Sequence, residues 1–200
     1  MNSVAAQGSL IVISGPSGVG KASVLKALLV KSPDLYYSIS TTTRLPRRMP
    51  DGTVERDGVE YFFVSDQEFK SMIEQDEFLE WAEFNGHYYG TPRAYVEKLL
   101  VEGKKVVLEL ETKGAAQIQK IMPEATLIFL VPPSMNELEC RLVGRRTEDL
   151  NEVDKRIGIA YEEMKAAVLY DYQVVNDVVD RAADQIKDII DVVTFDHRQL

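Results

Sequence analysis

The residues Gly15-Pro16-Ser17-Gly18-Val19-Gly20-Lys21-Ala22 have types and spacing that suit phosphate chemistry. Glycines at the first and sixth places let successive backbone N–H groups turn inward around phosphate oxygens. Lys21 adds a positive charge for the β- and γ-phosphates, and a helix beginning there aims the positive end of its dipole at the same anion. Ala22 stands where such loops carry the Ser or Thr that coordinates Mg²⁺. Ser23 lies one residue further and about 100° around the helix, so it is no direct substitute. A metal ion would then depend on nucleotide phosphates, water and nearby carboxylates. A second constellation is Ser40-Thr41-Thr42-Thr43-Arg44-Leu45-Pro46-Arg47. Two planar guanidinium groups on a Ser/Thr-rich segment can bind phosphate oxygens two at a time, although an exposed charged loop has the same composition.

The elements that must position these groups follow from hydrophobic patterning. Leu10 to Ile13 reads as a buried strand, and Val24, Leu25, Leu28 and Leu29 recur at helical spacing after the glycine-rich turn. From about Tyr36 to Tyr89, short aromatic or β-branched segments alternate with polar turns, around one amphipathic helix near Asp66 to Glu74. This predicts an inserted, mostly β lobe. Beyond it, TPRAYVEKLLVEG reads as a helix closed by Gly103, KKVVLELE as a strand, KGAAQIQKIM as a helix and ATLIFLV as a strand. A helix near Ser134, a polar Arg-rich stretch Arg141 to Asp149, a helix from Asn151, the strand YQVVN and a helix Ala182 to Val193 complete the chain. Such alternation predicts an α/β fold with a parallel sheet flanked by helices.

Composition excludes several classes. The 200 residues suit one globular domain. Lys and Arg number 23 against 32 Asp and Glu, a net charge of −9, which disfavours a surface that tracks nucleic acid. The single cysteine, Cys140, allows no intramolecular disulfide and fits a reducing compartment. No apolar run is long enough to cross a membrane, and the first residues lack a secretory pattern. A cytoplasmic protein is expected, as a monomer or a homo-oligomer.

In order along the chain, GPSGVGK, STTTRLPR, GVEYFF, EFLEWAEFNGHYYGT, LELETKGA, PPS, RLVGRRTE and VVND resemble guanylate kinase, from about Gly8 to Val193. The resemblance implies an enzyme that moves the γ-phosphoryl group of ATP to GMP with Mg²⁺. Its fold would be a P-loop NTPase core (8–35, 90–140 and 157–194), a GMP-binding lobe (36–89) and a mobile lid (141–156). It implies that Gly15 to Ser23, with Asn176 and Asp177 on the adenine side, bind ATP. Ser40 and Glu80 would read guanine, with Thr91 close to the base; Arg44, Arg47, Tyr61 and Tyr89 would hold the GMP phosphate. Taken alone, Glu80 reads better as a solvated helix-end charge, and Tyr61 and Tyr89 as half-buried strand aromatics.

Glu109 and Glu111, near the carboxyl end of their strand, are expected at the seam between the substrates; the resemblance implies that both contact GMP and that Glu109 reaches Mg²⁺ through water. No direct metal ligand is assigned. Lys21, Arg44, Arg141, Arg145 and Arg156 are the expected catalytic cations. Arg146 replaces a glycine usual in the family, and the segment between Arg47 and Tyr61 is longer than the family pattern, which predicts an extended turn at the lobe edge. The rival reading is a guanylate-kinase-like interaction module without catalysis. Ala22 favours it; Lys21, Arg44, Glu80 and Arg145 oppose it.

Overall fold

The computed structural model describes residues 8–49, 51–143 and 150–196. Its strands are β1 (Ser9–Ser14), β2 (Leu35–Tyr37), β3 (Thr41–Thr42), β4 (Phe62–Phe63), β5 (Phe78–Phe84), β6 (His87–Pro92), β7 (Lys105–Glu109), β8 (Thr126–Val131) and β9 (Tyr172–Val175). Its helices are α1 (Lys21–Lys31), α2 (Asp66–Glu74), α3 (Arg93–Val101), α4 (Thr112–Ile121), α5 (Met135–Val143), α6 (Leu150–Met164) and α7 (Val179–Asp196), with a 3-10 turn at Lys165–Leu169.

Five strands form one sheet in the order β2-β7-β1-β8-β9, parallel throughout. The central strands β1 and β8 are near-continuous apolar runs because both their faces are covered. On one face, Val24, Leu25 and Leu28 of α1 pack with Ile186 and Ile190 of α7 and Leu138 of α5 against Ile11, Ile13 and Ile128. On the other, Val96 and Leu99 of α3 and Ile118 of α4 cover Leu10, Val12 and Leu108. Each fully buried side chain of this kind contributes roughly 1.5–3 kcal/mol.

A second sheet, in the order β4-β3-β6-β5, is built from the intervening chain. The pairs β3–β6 and β5–β6 are antiparallel and β3–β4 is parallel. Phe69 of α2 stacks between Phe78 and Tyr88, with ring centroids 4.4 and 5.4 Å away, and anchors the helix to this sheet. The changeover between sheets differs from the sequence expectation. Tyr36 and Tyr37 belong to β2 and pair with Val106 and Val107 of the parallel sheet, because Leu35 is buried there. Likewise Thr91 and Pro92, predicted to open a helix, finish β6; the helix starts at Arg93, since the residue before a proline is biased toward extended backbone.

The two helix starts near Lys21 and Asp66 contrast usefully. Helix α2 is closed by its own capping box, with Ser65 and Glu68 satisfying each other's backbone N–H groups. Helix α1 has Gly20 as its N-cap and no side-chain cap, which leaves its first N–H groups for an external acceptor.

Candidate active site

The glycine-rich loop sits at the carboxyl end of β1, where open parallel sheets bind ligands. Gly15 has φ +151° and its backbone passes so close to β8 that a Cβ there would come within 2.6 Å of the Leu130 carbonyl oxygen. Gly20, in the left-handed conformation at φ +99°, turns the chain into α1. Lys21 folds over the loop and donates from Nζ to the Gly15 carbonyl at 2.6 Å. Burial pushes its ammonium below the ordinary lysine value, while Glu109, then Glu163 and Glu111, push it back up. An anionic ligand over the loop would supply the counter-charge that burial withholds.

Side chains from the far end of the chain close around the outside of this loop. Asn176 is buried, and its Nδ2 donates to the Val19 carbonyl at 2.7 Å. Arg141 donates to the same carbonyl at 3.3 Å, and also to the Asn176 carbonyl and Glu137. Asp177 is exposed and accepts from Arg181. Sequence reasoning gives Arg141 to a polar Arg-rich stretch, but it lies in the last turns of α5. Arg145, Arg146 and the centre of the expected lid, residues 144–149, lie outside the described residues. Arg156 is half-buried on α6.

The second cluster lies on the four-stranded sheet. Arg44 is 6% exposed, and its guanidinium makes three hydrogen bonds. Nη1 donates to the Leu45 carbonyl and to Glu55 Oε2, and Nη2 donates to Glu55 Oε1. These bonds use the far end of the group and leave the Nε edge outside them. The guanidinium carbon stands 5.2 Å over the ring of Tyr61, whose centroid is 6.2 Å from that of Tyr89. Arg47 is exposed, and its backbone N–H donates to Glu55 as well. Glu55 was not singled out from the sequence. It comes from the extended 48–60 segment, where an acidic residue among other charges carries no periodic signal.

Glu80 is on β5, 5% exposed, and directly opposite Thr91 of β6. The Thr91 hydroxyl donates to Oε1 at 2.6 Å. The other oxygen lies against Gly114 of α4, where a Cβ would approach it to 2.7 Å. Burial pushes the Glu80 carboxyl above the ordinary range; the Thr91 hydrogen bond opposes this, and Glu111 adds to it. The alternative of a solvated helix-end charge is thereby excluded. A buried carboxylate held by one hydroxyl is an acceptor suited to a ligand with two adjacent N–H donors. Ser40 is half-buried between β2 and β3, its carbonyl accepting from Phe62.

Between the clusters, Glu109 ends β7 and Glu111 is the N-cap of α4. Burial raises the Glu109 carboxyl and Lys21 lowers it. Ala22 and Glu109 line one groove of about 460 Å³ with Leu25, Leu29 and Tyr37. Burial, then Glu109, pushes the Tyr37 phenol far above its ordinary value.

Comparison with known proteins points to one family. Residues 7–193 match the family described as guanylate kinase. A guanylate kinase from Caldanaerobacter subterraneus subsp. tengcongensis is 52% identical over 188 residues, covering 94% of this chain and 89% of the relative. One from Halalkalibacterium halodurans is 48% identical over 184 residues, covering 92% and 88%. The crystal structure of guanylate kinase from Anaplasma phagocytophilum superposes with a TM-score of 0.74 at 30% identity, covering 94% of this chain and 86% of that one.

Proposed function

The chain belongs to the guanylate kinase family, and we propose that it transfers the γ-phosphoryl group of ATP to GMP, with ATP on the Gly15–Ser23 loop and GMP on the four-stranded sheet. The observation that carries the acceptor reading is Glu80. Guanine offers N1–H and the exocyclic amine side by side, so an ionised Glu80 would accept both, while adenine offers no such pair. Thr91 fixes the carboxylate, and Ser40 stands on the neighbouring segment. The GMP phosphate would meet the Nε edge of Arg44 and the phenols of Tyr61 and Tyr89, with Arg47 closing over it from solvent.

Phosphoryl transfer is mostly positioning and charge stabilisation. Lys21 would leave the Gly15 carbonyl for the β- and γ-phosphate oxygens, and the uncapped start of α1 would donate to them. Arg156 would face the transferring group from α6. Arg141 and Asn176 would act mainly by holding the Val19 turn, with the adenine beyond them near Asp177.

The donor set fits a Mg²⁺ that arrives on nucleotide phosphates. Ala22 offers no ligand, and among the described residues no group of three or more His, Cys, Asp or Glu could hold a metal ion. Glu109 and Glu111 would contact the ion's water. When bound, the ion neutralises charge on the β- and γ-oxygens. Among the described residues no helix is long and apolar enough to cross a membrane, in keeping with a cytoplasmic enzyme of purine nucleotide metabolism.

The test is ADP formation with ATP and Mg²⁺, with GMP, AMP, CMP and UMP offered in turn as acceptors and Lys21→Ala as the blank. Turnover with GMP alone, lost in the blank, is the expected result. A folded protein that binds GMP but turns over no acceptor would make it a binding module, disabled at Ala22.

A further inference from the structure

Two backbone groups of the phosphate loop, the Ser17 N–H and the Val19 carbonyl, are held by side chains from distant parts of the chain. Ser17 N–H donates to Oε2 of Glu163 at 2.9 Å, across 146 residues of chain, and Glu163 also acts on the charge of Lys21. On the other side, Val19 is held by Asn176 and Arg141. Leu142 presses on the turn between them, since a Cβ on Gly18 would meet its Cδ2 at 2.7 Å. Glu163 is the acceptor of the set, and it comes from α6, the helix that also carries Arg156. The two residues are two turns apart, within about 20° of the same helix face. This contact therefore ties the Ser17 turn to the α6 face that bears Arg156.

We propose that Glu163 is a positioning residue for phosphoryl transfer, fixing the phosphate loop and α6 against each other through the Ser17 N–H. The proposal rests on the reading of the loop as the ATP site. The acceptor oxygen, and not the charge, is what the role requires. A carboxylate beside a polyanionic nucleotide is repulsive by itself, and the neighbouring Lys21 compensates for it. Gln keeps an oxygen at the same reach, Asp keeps the charge but withdraws the oxygen by one methylene, and Ala removes both.

Steady-state kinetics with ATP and GMP, with calorimetric binding of AMP-PNP, test this on the full chain. Glu163→Ala and Glu163→Asp are expected to raise the KM for ATP and weaken AMP-PNP about tenfold, the value of one hydrogen bond. They should lower kcat through the displaced α6, and leave the KM for GMP within about twofold. Glu163→Gln should match the parent protein. Loss in Gln equal to that in Asp, unchanged ATP kinetics in Asp, or a fall in the KM for ATP would each overturn the proposal. The Gln and Asp pair decides the matter even where the Ala variant does not fold. AMP-PNP binding as tight in Lys21→Ala as in the parent protein would instead show that the loop is not the ATP site, a failure of the underlying reading.

Discussion

The phosphate loop and the arginine cluster both present positive or N–H groups to an anion, yet they are held in place differently. The loop offers backbone, and its Val19 carbonyl and Ser17 N–H are tied by Asn176 and Glu163, 157 and 146 residues away. The cluster offers a side chain, Arg44, tied by Glu55 only eleven residues on. A loop shaped by glycines needs support from outside because glycine backbone has many alternatives. A buried guanidinium needs a counter-charge, and the nearest chain supplies it. The loop should therefore fail through loss of ATP handling, and the cluster through loss of GMP binding and of lobe stability.

The largest expected break in this comparison is Lys21→Ala. Removing the cation that the phosphate loop itself brings to the β- and γ-phosphates should lower kcat by on the order of a thousandfold, with calorimetric GMP affinity unchanged. Next, Glu80→Gln should lower kcat/KM for GMP by on the order of 10²–10³ and leave the KM for ATP within about twofold, since two charge-assisted hydrogen bonds to guanine are lost.

Stability sharpens the contrast further. Glu55→Ala leaves Arg44 buried without its partner and should cost about 3 kcal/mol or more in urea denaturation. Asn176→Ala removes one neutral hydrogen bond to the loop and should cost about 1–3 kcal/mol. Equal losses would remove the distinction between the two sites.

The smallest effect is in pH. Glu55 is held below its ordinary value by Arg44, so its contribution is present above the unfolded carboxylate pKa and is lost as pH falls through the depressed folded value. Glu80 is raised by burial, so its contribution is full below the unfolded pKa and is lost as pH rises through the folded value. Because guanine binds the ionised form, GMP affinity should weaken as pH falls through the Glu80 value. Glu80→Gln should abolish that slope in a KM profile.

These regions also differ in how far the sequence reveals them. The loop was legible because glycine spacing, a preceding apolar strand and a following run with apolar residues at helical spacing are all local. The parallel sheet was legible for the same reason, from its buried apolar strands. Glu80 and Thr91 were reached through the family resemblance, yet a local signal also pairs them: the two-residue Asn85-Gly86 turn, with both residues at positive φ, sets the register of β5 against β6 that places Glu80 opposite Thr91. Glu55 and Glu163 were missed. Each is one acid among many on a polar segment, and only tertiary contact distinguishes it from its neighbours. The switch from parallel sheet to second sheet at Tyr37 was misplaced because alternating aromatics read alike in either sheet.

The most direct test of the central claim, that Glu80 reads the guanine edge, is calorimetric titration of GMP against inosine monophosphate, which keeps N1–H and lacks the exocyclic amine. One lost hydrogen bond to a buried carboxylate predicts roughly ten- to a hundredfold weaker binding of the inosine nucleotide, and a gap that collapses in Glu80→Gln. Equal affinities in the parent protein, or a gap that survives Glu80→Gln, would contradict it.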